Sequence, residues 1–216
     1  MISDFDIEKV SKDILSNLIS NASDIVQGIS LSSPRAIGDA VQESLGNKGL
    51  PNVLSKYGIS VKDEFGRRAM EDIAFKDSKG NYYAVDVKTH NEDTMFNMPN
   101  LISVKRLATF YKNDDKNNFC ILIISYKVKQ NKLEYTECHF KKIESFDWSC
   151  LTIGALGWGQ IQIANSNNLK FMEKPCRKSW MLQLCDKLSL FYDEEIGKIG
   201  ERKMWFGSIR NYWELK

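Results

Sequence analysis

Histidine is nearly absent from these 216 residues: only His90 and His139 are present. That excludes multi-histidine metal sites and histidine-built nuclease motifs. Cysteine is sparse and unpatterned. Cys120, Cys138, Cys150, Cys176 and Cys185 form an odd set without a CxxC pair. This argues against a zinc ribbon, an iron–sulfur cluster or a disulfide framework, and fits reduced thiols. Four prolines and 13 glycines are too few for a disordered or fibrous chain. No apolar run approaches the roughly 20 residues that a membrane helix needs. The N-terminus, Met1-Ile2-Ser3-Asp4-Phe5-Asp6, is acidic and lacks the basic-then-apolar pattern of a signal peptide. A cytoplasmic protein with no membrane partner is the expectation. Neither sign of charge dominates: 30 basic residues stand against 28 acidic, for a net charge of +2. No global positive field points to a polyanion, so any such site has to come from local patches.

What is present is an ordinary globular composition, 43% hydrophobic, long enough to bury one core as a single domain over residues 1–216. Residues 3–27 read as a helix, with Ser3 as N-cap and Val10, Ile14, Leu18 and Ile25 at helical spacing. Ser33-Pro34 opens a second helix that runs to Leu45 and breaks at Gly46 and at Gly49-Leu50-Pro51. Met70–Lys76 and Tyr82–Thr89 form a hairpin about Asp77-Ser78-Lys79-Gly80-Asn81. Pro99 opens another helix carrying Leu101, Val104, Ala108 and Tyr111. The continuous apolar run Phe119–Tyr126 predicts a strand buried on both faces. Gln130-Asn131 turns into a strand over Leu133–Phe140, and Gln160–Ile163 is a short alternating strand. Lys174-Pro175 starts a long C-terminal helix with Trp180, Leu184, Leu188 and Phe191 on one side. Helices, then a β-meander with an inserted helix, then a helical tail give an α+β (mixed α/β) fold, with a central mixed sheet flanked by helices.

With histidine and cysteine set aside, carboxylates and lysines must carry any catalysis. Along the second hairpin strand Asp86 and Lys88 share one face while Val85 and Val87 share the other. Antiparallel pairing about residues 78–80 sets Asp72 opposite Asp86, with Cβ atoms about 5 Å apart. Two carboxylates so placed repel unless a cation lies between them. Mg²⁺ suits such a site, since one or two carboxylates, waters and a substrate phosphate complete its shell. The Val87 carbonyl is a further candidate ligand. An acidic residue two before a lysine is common, with on the order of two chance occurrences in a chain of this length. Its simplest reading is a surface Asp–Lys pair. The opposed Asp72 and the valines anchoring the strand are what raise it above that.

Asp72 with Asp86-Val87-Lys88 resembles the PD-(D/E)xK nuclease signature. The wider stretch, Asp86-Val87-Lys88-Thr89-His90-Asn91 and then Pro99-Asn100-Leu101-Ile102-Ser103, is similar to the blunt-cutting HincII/EcoRV branch of type II restriction endonucleases. A weaker likeness extends to Gly159-Gln160-Ile161-Gln162 and to the helix after Arg177. One departure is that Glu71 stands where the signature has proline. Alternation turns Glu71 away from Asp72, so it is not assigned as a ligand. The resemblance implies a restriction-endonuclease-like core. It implies that Asp72 and Asp86 bind Mg²⁺, with Mn²⁺ as a substitute, and that Lys88 positions or helps deprotonate the attacking water. The implied reaction is in-line hydrolysis of DNA, leaving 5′-phosphate and 3′-hydroxyl ends. Related nucleases add a glutamate from an early helix. Glu43, on the face of Ala36 and Ala40, is the candidate for that role, with a solvated helix acid as the plain alternative; Asp39 is a second.

For reading DNA, the loop after the catalytic strand supplies Phe96, Asn97 and Asn100. An apolar or amide side chain can wedge a base step or read base edges. Packing under the loop would explain Phe96 equally, and Asn100 could simply assist the helix start. Gln160 and Gln162 share a strand face and could pair with adenine, though an exposed polar face explains them as well. Trp158, between two glycines, marks a loop that either inserts or packs, packing being the simpler reading. Arg67-Arg68, Lys105-Arg106, Lys141-Lys142 and Arg177-Lys178 could contact phosphates. The implied partners are double-stranded DNA, a second copy in a two-fold dimer, and a cognate methyltransferase in the same system. The N-terminal helix is one candidate dimer surface, with packing inside the monomer as the alternative. Other readings of the same residues are a repair nickase, a junction resolvase, or a catalytically silent DNA-binding module.

Overall fold

The computed structural model describes residues 6–21, 33–45, 49–62, 69–94, 98–130 and 132–216. The spine of the molecule is β5 (Asn117–Lys129), the apolar run read from the sequence, buried along nearly its whole length. It sits inside a five-stranded mixed sheet. β1 (Val61–Lys62), β2 (Ile73–Lys76) and β3 (Tyr82–Asn91) pair antiparallel in succession. β3 then runs parallel to β5, and β5 is antiparallel to β6 (Lys132–Lys142). The order across the sheet is β1-β2-β3-β5-β6. Between β3 and β5 the chain makes β4 (Asn100–Ser103) and α4 (Val104–Asn113). β4 joins β8 (Gln160–Ile163) and β7 (Leu151–Gly154) in a second, three-stranded antiparallel sheet.

Two apolar clusters cover the two faces of the main sheet. On one side lie α1 (Ile7–Ser20), α2 (Pro34–Ser44) and α3 (Leu50–Ser55), packed on Val85, Val87, Leu122 and Ile124. On the other lie β4, α4, the second sheet and the start of α5 (Arg177–Glu214), packed on Ala84, Ile121 and Ile123. This alternation of β5 side chains between two cores is what a continuous apolar strand requires. The fold is α+β.

Several local expectations shift. The first helix is capped by Asp6, whose carboxylate accepts the Glu8 N–H at 2.8 Å; Ser3 and Ile25 lie outside the described residues. Val10, Ile14 and Leu18 are buried in the core beneath β6, so the apolar side of α1 is used within the monomer. Ser33 caps α2 as read, accepting from the Ala36 N–H. Gly49-Leu50-Pro51 does not end the helical region but starts α3, with the proline in its first turn.

The helix expected from Pro99 begins only at Val104. Asn100–Ser103 is instead a strand, because Leu101 and Ile102 are buried and its backbone pairs with β8. Local periodicity could not reveal a pairing partner some 60 residues away. α5 starts at Arg177, two residues after Pro175, and runs for 38 residues. Trp180 and Leu184 are its buried anchors.

Candidate functional site

β2 ends where β3 continues. The last ladder pair is Ile73 with Val85, and beyond it β3 presents Asp86–Asn91 along an edge that no described strand pairs with. Asp72 sits at that point, its N–H donating to the Val85 carbonyl at 2.8 Å. Its side chain then turns along the open edge and Oδ2 accepts the Val87 N–H at 2.7 Å. In a strand the N–H and C=O of one residue point to the same edge. The Val87 carbonyl is therefore directed to the side where Asp72 stands, while the Val87 side chain is buried in the α1–α3 core.

Asp86 lies on the opposite face, 8% exposed. Its Oδ1 accepts from Lys88 Nζ at 2.7 Å, while Oδ2 is buried with no hydrogen-bond partner. Burial pushes this carboxyl up to about 7, against the pull of the Lys88 ammonium and with a further push from Asp72. A buried, unpartnered carboxylate oxygen beside a second carboxylate is what a hard cation would satisfy. Asp72, Asp86 and the Val87 carbonyl thus fit a divalent ion. Among the described residues no group of three or more His, Cys, Asp and Glu is placed to hold a metal, so a carbonyl, water and substrate oxygens would have to complete the shell.

Cavities border this short stretch of β3 on both faces. On the Asp86 face a cavity of about 440 Å³ is lined by Asp86, Met70, Ser103, Arg106 and Gln160 among others. β4, α4 and β8 thus build its far wall. On the Val87 face, a cavity of about 250 Å³ is bordered by Arg35, Gly38, Asp39 and Gln42 of α2 with Val87, Lys88 and Thr89. Gly38 permits this close approach: a Cβ there would stand 2.9 Å from Thr89 Oγ1.

Glu43 does not join the site. At 100° per residue, Arg35, Gly38 and Gln42 form one flank of α2, and Ala36, Ala40 and Glu43 form the other. The first flank meets β3; Glu43 is exposed. Glu43 does share a face with Ala36 and Ala40. That face simply points elsewhere, which depends on how α2 is rotated against the sheet. Asp39 does border the Val87-side cavity, paired with Arg35 at 4.0 Å.

Of the candidate DNA-reading residues, Phe96 and Asn97 lie outside the described residues. Asn100 and Gln162 are register partners across β4 and β8, and the Gln162 amide donates to Asn100 Oδ1 at 2.5 Å. Asn100 therefore does not assist a helix start. Gln160 lines the cavity that holds Asp86. Trp158 is 61% exposed rather than packed, with Lys105 Nζ 4.4 Å over its ring. Glu71 accepts from Tyr82 Oη and from the Met70 N–H, so its carboxylate is engaged on the Tyr82–Ala84 face of β3 rather than on the Val85–Val87 face that strict alternation would give it.

The basic pairs divide. Arg67 and Arg68 lie outside the described residues. Lys141 pairs with Glu8, and Arg177 is held by Glu144 and Asn118. Arg106 borders the Asp86 cavity. In the sequence it is one of several basic residues that could contact phosphate, because its place depends on β4 rather than on any local motif.

No protein-family model matches the chain, and no curated protein matches it. Among solved structures it is similar to "NlaIV restriction endonuclease", at 14% identity and a TM-score of 0.48, covering 79% of this chain and 76% of that one.

Proposed function

We propose that the chain is a Mg²⁺-dependent type II restriction endonuclease. It would hydrolyse both strands of DNA at a palindromic site, leaving blunt 5′-phosphate and 3′-hydroxyl ends. The observation that carries this reading is the convergence of Asp72 and Asp86 at an open strand edge, with a buried unpartnered oxygen on Asp86 and Lys88 Nζ 2.7 Å from its other oxygen. Together with the spacing Asp72 … Asp86-Val87-Lys88, this is the donor set that phosphodiester hydrolysis by a hard metal needs. Asp72, Asp86 and the Val87 carbonyl would hold the ion, which would supply an activated water and offset charge on the scissile phosphate, with Mn²⁺ as a substitute. Lys88, on the Asp86 face, holds a positive charge beside the carboxylate and orients the attacking water. Arg106 and Ser103, across the same cavity, steady a phosphate. Gln160 there, and the Asn100–Gln162 pair beside it, offer amides to base edges. Two copies related by a two-fold axis match a palindrome, and a cognate methyltransferase protects the host sequence.

Incubating the protein with plasmid and Mg²⁺ tests this directly. Discrete double-strand fragments are expected, with their ends giving the site and the cut. Lys88→Ala is expected to abolish cleavage while leaving DNA binding largely intact, measured by electrophoretic mobility shift; retained cleavage overturns the site. Nicks alone, or cuts only at branched DNA, would replace this reading with a nickase or resolvase. Binding without cleavage in any divalent metal would replace it with a silent DNA-binding module.

A further inference from the structure

α5 outruns the body it is anchored to. Trp180 and Leu184 are its buried residues, and the Tyr192 hydroxyl makes a last polar contact with the body, donating to the Trp158 carbonyl at 2.6 Å. From Ile196 onward the helix carries Ile199 (51% exposed), Trp205 (58%), Phe206 (64%), Tyr212 (52%) and Trp213 (67%) in solvent. At 100° per residue these side chains, with Ile209, fall within one sector of about 140° that also carries Arg202, while the exposed Ile196, Met204 and Leu215 lie off it. Gly200, Gly207, Ser208, Asn211 and Glu214 fall on the other. Cβ atoms added at Gly197, Gly200 and Gly207 would meet nothing within 4 Å.

A single helix in water does not hold such a segment. Each of the three glycines costs about 1 kcal/mol relative to alanine, and the segment gains no packing within the monomer to offset this. Aromatic side chains present 150–250 Å² each, so a half-exposed set of this size amounts to several hundred Å², on the order of the 800 Å² per partner of a standard interface. That reaches the upper end of the apolar patch a typical monomer leaves open, about 300–600 Å².

We infer that the distal half of α5 pairs with the same segment of a second copy, antiparallel about a two-fold axis. The charges fit that direction. Within the helix Glu195 pairs with Lys198 and Arg210 with Glu214, which leaves Asp193 and Glu194 on the proximal part, and Arg202, Lys203 and Lys216 against Glu201 on the distal part. Antiparallel pairing sets the acidic run of one copy along the basic end of the other; parallel pairing sets like against like. The inference rests on α5 alone and not on the nuclease reading. Where both hold, the arm leaves the body beside the loop that leads into Gln160, so the pairing fixes how far apart the two sites stand.

Sedimentation or light scattering of the full chain without DNA tests it. A dimer is expected at micromolar concentration. Phe206→Glu with Trp213→Glu should weaken association at least about 100-fold, with the melting temperature of the body in place and the far-UV helical signal lowered only by the share of the distal arm. Asp193→Lys with Glu194→Lys should weaken it too, and adding Lys203→Glu with Lys216→Glu to that chain should restore it. A monomeric wild type overturns the inference, as does a dimer indifferent to the apolar double variant. If the wild type is monomeric and the apolar variant instead loses duplex binding, the arm is a DNA contact. Failure of plasmid cleavage leaves the oligomer measurement unaffected, so the two readings fail separately.

Discussion

Asp86 is the residue where burial, charge and function meet. Its carboxyl titrates near 7 in the folded chain because burial disfavours the anion, whereas in the unfolded chain it titrates near 3.9. Between about pH 4 and about 7 the folded state therefore holds a proton that the unfolded state has released, and stability falls as pH rises through that window. The full span is at most about 4 kcal/mol. In chelator, Asp86→Asn should flatten this slope and melt higher than the wild type above the window. Differential scanning fluorimetry across pH reads both effects, and parallel pH profiles for the two proteins would refute the assignment. On the proposed reading Mg²⁺ would act in the opposite direction by binding the deprotonated carboxylate, so it should raise the wild-type melting temperature and leave Asp86→Asn unmoved.

Among the elements, α5 depends on one polar knot at its first turn. Glu144 is 5% exposed and accepts from Arg177 Nε at 3.1 Å and from Tyr111 Oη at 2.8 Å. Arg177 also donates to the Asp115 carbonyl and to Asn118 Oδ1, and stacks 4.3 Å from the Tyr111 ring centre. Removing the cation leaves a buried carboxylate with one neutral donor. Arg177→Met should cost about 2–4 kcal/mol, somewhat below the range for a fully buried pair because the guanidinium is partly solvated. Urea denaturation measures it, and a loss under about 1 kcal/mol would mean that Trp180 and Leu184 suffice to dock the helix. β4 teaches a related lesson. Its four residues follow Pro99 and precede a helix, and only the ladder with β8 makes them a strand. Through that strand Ser103 and Arg106 reach the cavity of Asp86.

At the scale of the whole molecule, a net charge of +2 conceals an uneven surface. Lys88 and Arg106 sit with Asp72 and Asp86 about one end of the main sheet, while Lys141 and Arg177 are spent on ion pairs elsewhere. On the proposed reading, DNA affinity should fall with added salt, and Arg106→Ala should weaken binding about equally across sequences and lower the salt slope by about 1. Filter binding at several salt concentrations measures that slope. An unchanged slope would remove Arg106 from the phosphate contacts.

The sequence by itself determined the β2–β3 hairpin, the register that ends at Ile73 with Val85 and so carries Asp72 to the Asp86–Val87 stretch, the shared face of Asp86 and Lys88, and the two-sided burial of β5. Each follows from period-2 alternation, a turn signal and continuous apolarity, which are local quantities. Tertiary structure decided the rest. The rotation of α2 turned Glu43 outward and brought Gln42 and Asp39 toward β3. The β4–β8 ladder converted an expected helix start into a strand and drew Gln160 and Arg106 to the site. The edge of the body left Trp158 and the end of α5 in solvent. These outcomes depend on partners dozens of residues apart, whose pairing energy overrides propensity at the segment itself.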